Sequence, residues 1–159
     1  MPKLRTLAGW TRDERRRVFR AWWACWLVAV LFRGLGTVRC QRLLQRWRRV
    51  GSPAAETEGS LDSRAEAVAW GLKVALRNIP WRVRCLERSL TLEWLLAREG
   101  IPASIRIGVR KAGVRAIEAH AWVEVAGQPL DDTTVGEHYL PFEGSLAAGG
   151  VEVAIGSGE

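Results

Sequence analysis

The chain has 159 residues, which lies within the usual range of a single domain and leaves room for one hydrophobic core. Its net charge of +7 is uneven, because residues 1–50 hold thirteen Lys or Arg and two acids, whereas the remainder is net negative. Three cysteines without close spacing argue against a disulfide framework and a zinc site, so we expect a reducing, cytoplasmic setting and no metal or cofactor.

Residues 1–50 are predicted to form a basic helical segment rich in tryptophan. Thr11 and Glu14 fit a capping box, and a nearly apolar run follows from Ala21 to Phe32. This run is twelve residues long, whereas a bilayer span needs about twenty. No small-residue cleavage site follows it. We therefore predict a buried core helix, without signal cleavage or stable membrane insertion.

A second basic helix is predicted from Val38 to Val50. Its arginines are Arg39, Arg42, Arg46, Arg48 and Arg49. A solvated face would explain them, and nucleic acid or an anionic membrane surface could also use such a face. Among binding partners we favour an acidic protein, so we expect no nucleic acid.

The rest of the chain divides into three predicted parts. Residues 51–60 are turn-rich without a hydrophobic period and are predicted to be a linker. The main core is predicted over residues 61–142 and opens with a helix capped by Asp62 or Ser63 that runs to about Asn78. Residues 143–159 are glycine-rich and are predicted to add an edge strand or to remain mobile.

Cys85 is predicted to lie in the first turn of a helix, since Pro80 stops the preceding segment and helical periodicity then continues as far as Gly100. A thiol is mostly protonated at neutral pH, and only the thiolate attacks a carbonyl carbon. At a helix start, free N–H groups and the positive end of the helix dipole stabilise a thiolate and can donate to an oxyanion. By contrast, Cys25 and Cys40 are expected to be small buried hydrophobes.

A β-hairpin is predicted after this helix. Its strands cover residues 101–109 and 117–125, with a turn over residues 110–115, a tight turn at Ala126-Gly127 and an extension over residues 128–132. The period of two places His120, Trp122 and Glu124 on one face of the second strand. Helices followed by antiparallel strands predict an α+β fold.

A cysteine, a histidine and an aspartate thus follow one another in an order that fits a nucleophile, a base and the group that orients the base. Cys85 is the candidate nucleophile and His120 the candidate base. Asp131 and Asp132 both lie where a carboxylate could accept the second imidazole N–H. Spacing favours Asp132 as the third catalytic residue.

Four residues near this trio are candidates for substrate contact. Trp122 is predicted to form a wall of the site. Arg88 and Ser89 follow the nucleophile on its helix, where packing or capping explains them as well as substrate contact does. Glu124 shares the face of His120 and is predicted to be mainly structural, paired with Arg88 or another base.

These motifs resemble those of the lasso-peptide leader peptidases, the peptidase half of a split B protein. The resemblance is carried by the following segments: Cys85 to Leu92, Leu95 to Ile101, Ile107 to Val109, His120 to Glu124, Gly127 and Asp131-Asp132. It covers about residues 61–133, and it departs from the family pattern at Asp131, where Asn is common.

The resemblance implies a transglutaminase-like, papain-related core and a cysteine peptidase that removes the leader from a ribosomally made lasso-peptide precursor. It further implies three partners, namely a leader-recognition protein, the precursor peptide and an ATP-dependent lasso cyclase. Two other functions stay open: acyl transfer to an amine, as in transglutaminases, and a noncatalytic binding module with the same fold.

Overall fold

The fold combines three helices with a four-stranded antiparallel sheet, in a computed structural model that describes residues 9–46, 58–111, 117–131 and 139–141. The elements are α1 (Arg12–Arg46), α2 (Glu58–Leu76), α3 (Cys85–Arg98), β1 (Ser104–Lys111), β2 (Ile117–Val125), β3 (Gln128–Pro129) and β4 (Leu140–Pro141). The strands lie in the order β3-β2-β1-β4. The predicted α+β class is therefore confirmed.

Helix α1 begins at the predicted capping box and contains a break. Thr11 N–H donates to Glu14 Oε2 at 2.7 Å, and Glu14 N–H donates to Thr11 Oγ1 at 3.2 Å. Gly36 interrupts the helix with φ 73° and ψ 171°, a conformation that glycine adopts readily because it has no Cβ. The break lies between the two helices predicted for this segment, and residues 47–50 lie outside the described residues.

The stretch Arg12–Gly36 of α1 is longer than the twelve-residue apolar run suggests. It has 25 residues with a mean hydropathy of 1.4 in its most apolar window, so by length and composition it could cross a bilayer. The helix extends beyond the apolar run at both ends, so the prediction that this segment is too short to span a bilayer was wrong. A core helix passes the same test, and Ala21, Ala24 and Val28 lie in the protein core.

Helix α2 starts at Glu58, four residues before the predicted cap at Asp62. Residues 58–60 are thus helical rather than linker. The remaining linker residues, 51–57, lie outside the described residues. The helix ends at Leu76, and Asn78 closes the following turn by donating its backbone N–H to the Ala75 carbonyl at 3.0 Å.

Helix α3 has the predicted bounds because its two ends are fixed locally. It begins at Cys85, and Gly100 follows its C-terminus with φ 76°. Gly100 N–H donates to the Ala97 carbonyl and Ile101 N–H to the Leu96 carbonyl, the two hydrogen bonds of a Schellman motif. Such a motif needs a left-handed residue, which explains the glycine.

The sheet contains the predicted hairpin and one unpredicted strand. β2 has the predicted bounds, while β1 begins at Ser104, after Pro102, which has no N–H to donate. Ala126 and Gly127 have φ of 50° and 78°, and two positive values are typical of a tight hairpin turn. Residues 112–116, which include most of the predicted longer turn, and residues 143–159 lie outside the described residues.

One hydrophobic core joins the helices to the sheet. Helix α3 packs on β2, and both α1 and α2 pack on α3. The buried residues come from every layer, and examples are Ala24 and Val28 of α1, Leu72 of α2, Leu92 and Leu96 of α3, and Ile105 and Val123 of the sheet. Helix α1 therefore contributes to the same core as the hairpin, although the two are far apart in sequence.

Candidate active site

Cys85 is the first residue of α3 and is half-buried. The preceding residue, Arg84, is extended, and its backbone N–H donates to Glu87 Oε2 at 3.0 Å. This contact fixes the helix start directly before the cysteine. The amides of the first turn have no carbonyl partner within the helix, so they are available to stabilise negative charge near the thiol.

The other two cysteines are buried, as expected. Cys25 is 3% exposed and Cys40 is fully buried. Burial, with a smaller contribution from the Glu87 carboxylate, raises the pKa of the Cys25 thiol to about 12. The same two causes raise the pKa of Cys40. Both thiols therefore stay protonated at neutral pH, whereas the candidate nucleophile Cys85 differs from them in being only half-buried.

Arg88 and Asp131 join the start of α3 to the hairpin. Arg88 Nη2 lies 3.1 Å from Asp131 Oδ2 and donates to the Asp131 backbone carbonyl at 2.7 Å. The other carboxylate oxygen, Asp131 Oδ1, accepts the backbone N–H of the fully buried Val123 at 3.0 Å. Cys85 lies one helical turn before Arg88, and His120 lies on the strand that contains Val123. This Arg88–Asp131–Val123 link thus connects the element that carries the thiol to the strand that carries the imidazole.

Glu124 holds Trp122 of β2 and Arg106 of β1 beside one another on the face of the sheet that carries His120. Trp122 Nε1–H donates to Glu124 Oε1 at 3.0 Å, and Arg106 Nε–H donates to Glu124 Oε2 at 3.0 Å. Trp122 is 3% exposed, and its role as a wall of the site stays a prediction. The basic partner of Glu124 is therefore Arg106, whereas Arg88 pairs with Asp131.

Tyr139 is a neighbour of His120 that sequence reasoning missed. The two ring centroids are 5.2 Å apart with an interplanar angle of 33°, and the Arg110 guanidinium lies 5.0 Å from the Tyr139 ring centroid. Gly108 pairs with His120 on one side and with Pro141 on the other, so no side chain stands between these strands at that level. A glycine inside a predicted strand was the available signal, since it marks close approach.

Two further predicted site residues, Ser89 and Asp132, are not seen at the candidate site. Ser89 is fully buried in α3, and its Oγ has no hydrogen-bond partner within the described part of the chain, so it lies in the core rather than at a surface for substrate. Asp132, the predicted third catalytic residue, lies outside the described residues. Among the residues that the structure describes, no group of three or more His, Cys, Asp or Glu could hold a metal ion.

Comparisons with known proteins give one family. The family described as the transglutaminase-like superfamily matches residues 22–143, which extend from within α1 to beyond β4. No curated protein and no solved structure gives a significant match. The matched region contains Cys85, His120 and both candidate aspartates.

Proposed function

Because the chain belongs to the transglutaminase-like superfamily, which indicates cysteine-peptidase or acyl-transfer chemistry, we propose that it is a leader peptidase of lasso-peptide biosynthesis. Its substrate would be a ribosomally made precursor, cut at the junction between leader and core. The position of Cys85 at the start of α3, connected to β2 by the Arg88–Asp131–Val123 link, carries this proposal.

The proposed reaction proceeds through a thioester. His120 takes the thiol proton, Cys85 Sγ attacks the carbonyl carbon, and the Cys85 backbone N–H donates to the oxyanion. His120 then protonates the leaving amine as the C–N bond breaks. Water, deprotonated by His120, attacks the thioester; the C–S bond breaks, and the leader carboxylate and the thiol are released.

Asp132 is proposed to orient His120. Both oxygens of Asp131 are bound, one by Val123 N–H and the other by Arg88. This supports the neighbouring aspartate as the carboxylate for the second imidazole N–H, in agreement with the sequence spacing. Tyr139, stacked beside His120, would further limit rotation of the imidazole ring.

The products separate the proposed hydrolysis from acyl transfer, because either water or an amine can resolve the thioester. We expect precursor, leader-recognition protein and this protein together to yield leader and core peptides whose summed masses exceed the precursor by one water. Mass spectrometry of the reaction, with precursor alone as control, gives the result. Release of ammonia or joining of two chains would contradict hydrolysis and support transfer.

The proposed pathway also sets partners and location. A leader-recognition protein would present the precursor, and an ATP-dependent lasso cyclase would close the ring on the released core, in the cytoplasm. Helix α1 has an exposed apolar face that suits a protein partner. Phe19, Trp23 and Val30 are 61%, 56% and 62% exposed, and their spacing places them on one side of the helix.

Reversing charges on the exposed basic face of α1 should weaken binding of the leader-recognition protein. Arg39 and Arg42 are exposed beyond the Gly36 break. The variant R39E/R42E is expected to weaken the complex about tenfold, because a positively charged surface attracts an acidic partner and the substitutions make this surface negative. Titration calorimetry measures this, with K73E/R77E at the C-terminal end of α2 as a control of equal charge change. Unchanged affinity and unchanged cleavage in R39E/R42E would remove this surface as the dock.

A further inference from the structure

A groove between α2, α3 and the end of β3 lies beside the candidate active site. Its volume is about 400 Å³. The residues that define it here are Trp70 and Lys73 of α2, Arg77 directly after α2, Arg88 and Leu92 of α3, and Leu130 directly after β3. We refer to it as the α2–α3 groove. Asp131 also lines it, so the Arg88–Asp131 ion pair forms one end.

The groove has an apolar floor and a positively charged rim. Leu72 and Leu92, at 2% and 0% exposure, and the partly buried Leu130 form the floor. Lys73 lies in the last turn of α2 and Arg77 directly follows the helix, and both are exposed. Within the described part of the chain, neither forms an ion pair, whereas Arg88 is neutralised by Asp131. Glu66 also lines the groove, but it precedes Lys73 on α2 by about two helical turns, and within the described residues it forms no ion pair with Lys73 or Arg77. These two positive charges are therefore left for a ligand to neutralise.

The size and position of the groove favour a peptide segment over a folded protein. A specific protein partner buries about 800 Å² on each side, whereas a groove of about 400 Å³ suits one or two side chains. Arg88 follows Cys85 by three residues, which corresponds to about 4.5 Å along a helix axis. An extended peptide advances about 3.3 Å per residue, so one or two residues separate the groove end from the thiol.

We propose that the α2–α3 groove is a substrate subsite that binds an apolar residue followed by an acidic residue, next to the bond that Cys85 attacks. Successive side chains of an extended peptide point in opposite directions. The apolar side chain would therefore enter the leucine-lined floor while the carboxylate turns outward to Lys73 and Arg77. This assignment rests on the proposed peptidase function, since it names the part of the substrate that the same site recognises.

The test uses fluorescein-labelled octapeptides with a central Leu-Glu, Leu-Gln or Leu-Lys pair. Their binding to the Cys85→Ala protein is measured by fluorescence anisotropy, which needs no turnover. We expect the Leu-Glu peptide to bind at least about tenfold more tightly than the Leu-Lys peptide. K73E/R77E should reverse this order of affinities, and K73Q/R77Q should abolish the difference. The control R39E/R42E changes the net charge as much as K73E/R77E does but lies outside the groove, so it should leave the order unchanged.

Cleavage kinetics with the precursor then distinguish failure of the proposed subsite from failure of the proposed peptidase function. In the presence of saturating leader-recognition protein, K73E/R77E should raise KM at least about tenfold with kcat within about twofold, because it affects binding rather than bond breaking. Equal binding of the three peptides, or a reversal also produced by R39E/R42E, overturns the subsite. If the wild-type protein cuts no precursor while Cys85→Ala still prefers Leu-Glu through Lys73 and Arg77, the peptidase function fails and the binding site stands.

Discussion

Replacing Cys85 with alanine is expected to lower kcat/KM for precursor cleavage by at least about 10⁴-fold, because no thiolate remains to attack the carbonyl. The fold should be unaffected, since Cys85 is only half-buried and the start of α3 is fixed by Arg84 and Glu87. His120→Ala should reduce the rate by a similar factor. The measurements are single-turnover cleavage and thermal unfolding of each variant.

The two buried cysteines provide matched controls for Cys85. Cys25→Ala and Cys40→Ala should retain cleavage below their unfolding temperatures, because burial raises the pKa of both thiols and they lie in the core. Iodoacetamide at neutral pH should modify Cys85 ahead of the other two, and His120→Ala should slow this reaction. Full cleavage by Cys85→Ala would refute the catalytic assignment, and uniform slow alkylation would favour a noncatalytic binding module.

The two neighbouring aspartates are expected to respond in opposite ways to substitution. Asp132→Asn should lower kcat by about 10²- to 10⁴-fold with little change in stability, because an amide does not stabilise the imidazolium that forms during attack. Asp131→Asn should instead lower the free energy of unfolding by about 1–2 kcal/mol, since it removes the charge that pairs with Arg88. We expect a loss near the lower end of this range, because the Arg88 side chain is 35% exposed and solvent screens the ion pair. Cleavage assays and urea unfolding of both variants measure the two effects.

The reverse pattern would reassign the third catalytic residue. If Asp132→Asn cleaves normally and Asp131→Asn does not, the register of the chain after β3 differs by one residue from the proposal. The double variant of Arg88→Ala with Asp131→Asn then gives a further check. A structural ion pair predicts that the two stability losses are not additive, because either single change already breaks the pair.

Much of this fold is readable from sequence wherever the signal is local. Helix α3 is bounded by Pro80 and Gly100, and both act through backbone geometry within a few residues. The β2 strand is readable because its alternation ends at Ala126-Gly127, which adopts the positive φ values of a tight turn. The position of Cys85 at a helix start follows from the same local rules.

The structural features that could not be predicted from the sequence depend on contacts between distant segments. The stacking of Tyr139 on His120 and the pairing of β4 with β1 have no local pattern, because β4 is only two residues long. The partner of Arg88 is likewise set by docking of the hairpin on α3. The early start of α2 was missed for another reason: Gly59 and Ser60 are poor helix formers, so propensity alone placed the helix start after them.

The Arg88–Asp131 link also has a consequence for the order of events during folding. It closes a loop of 43 residues, and loop closure of this length precedes any gain from the contact. Helix α3 has local stop signals and can form early, whereas the hairpin must dock before the strand that carries His120 is fixed relative to the helix that carries Cys85. A partly folded chain therefore carries the cysteine without its proposed base. The proposed peptidase activity would then appear only as the last long-range contacts close, which would protect a newly made chain and its neighbours from premature cleavage.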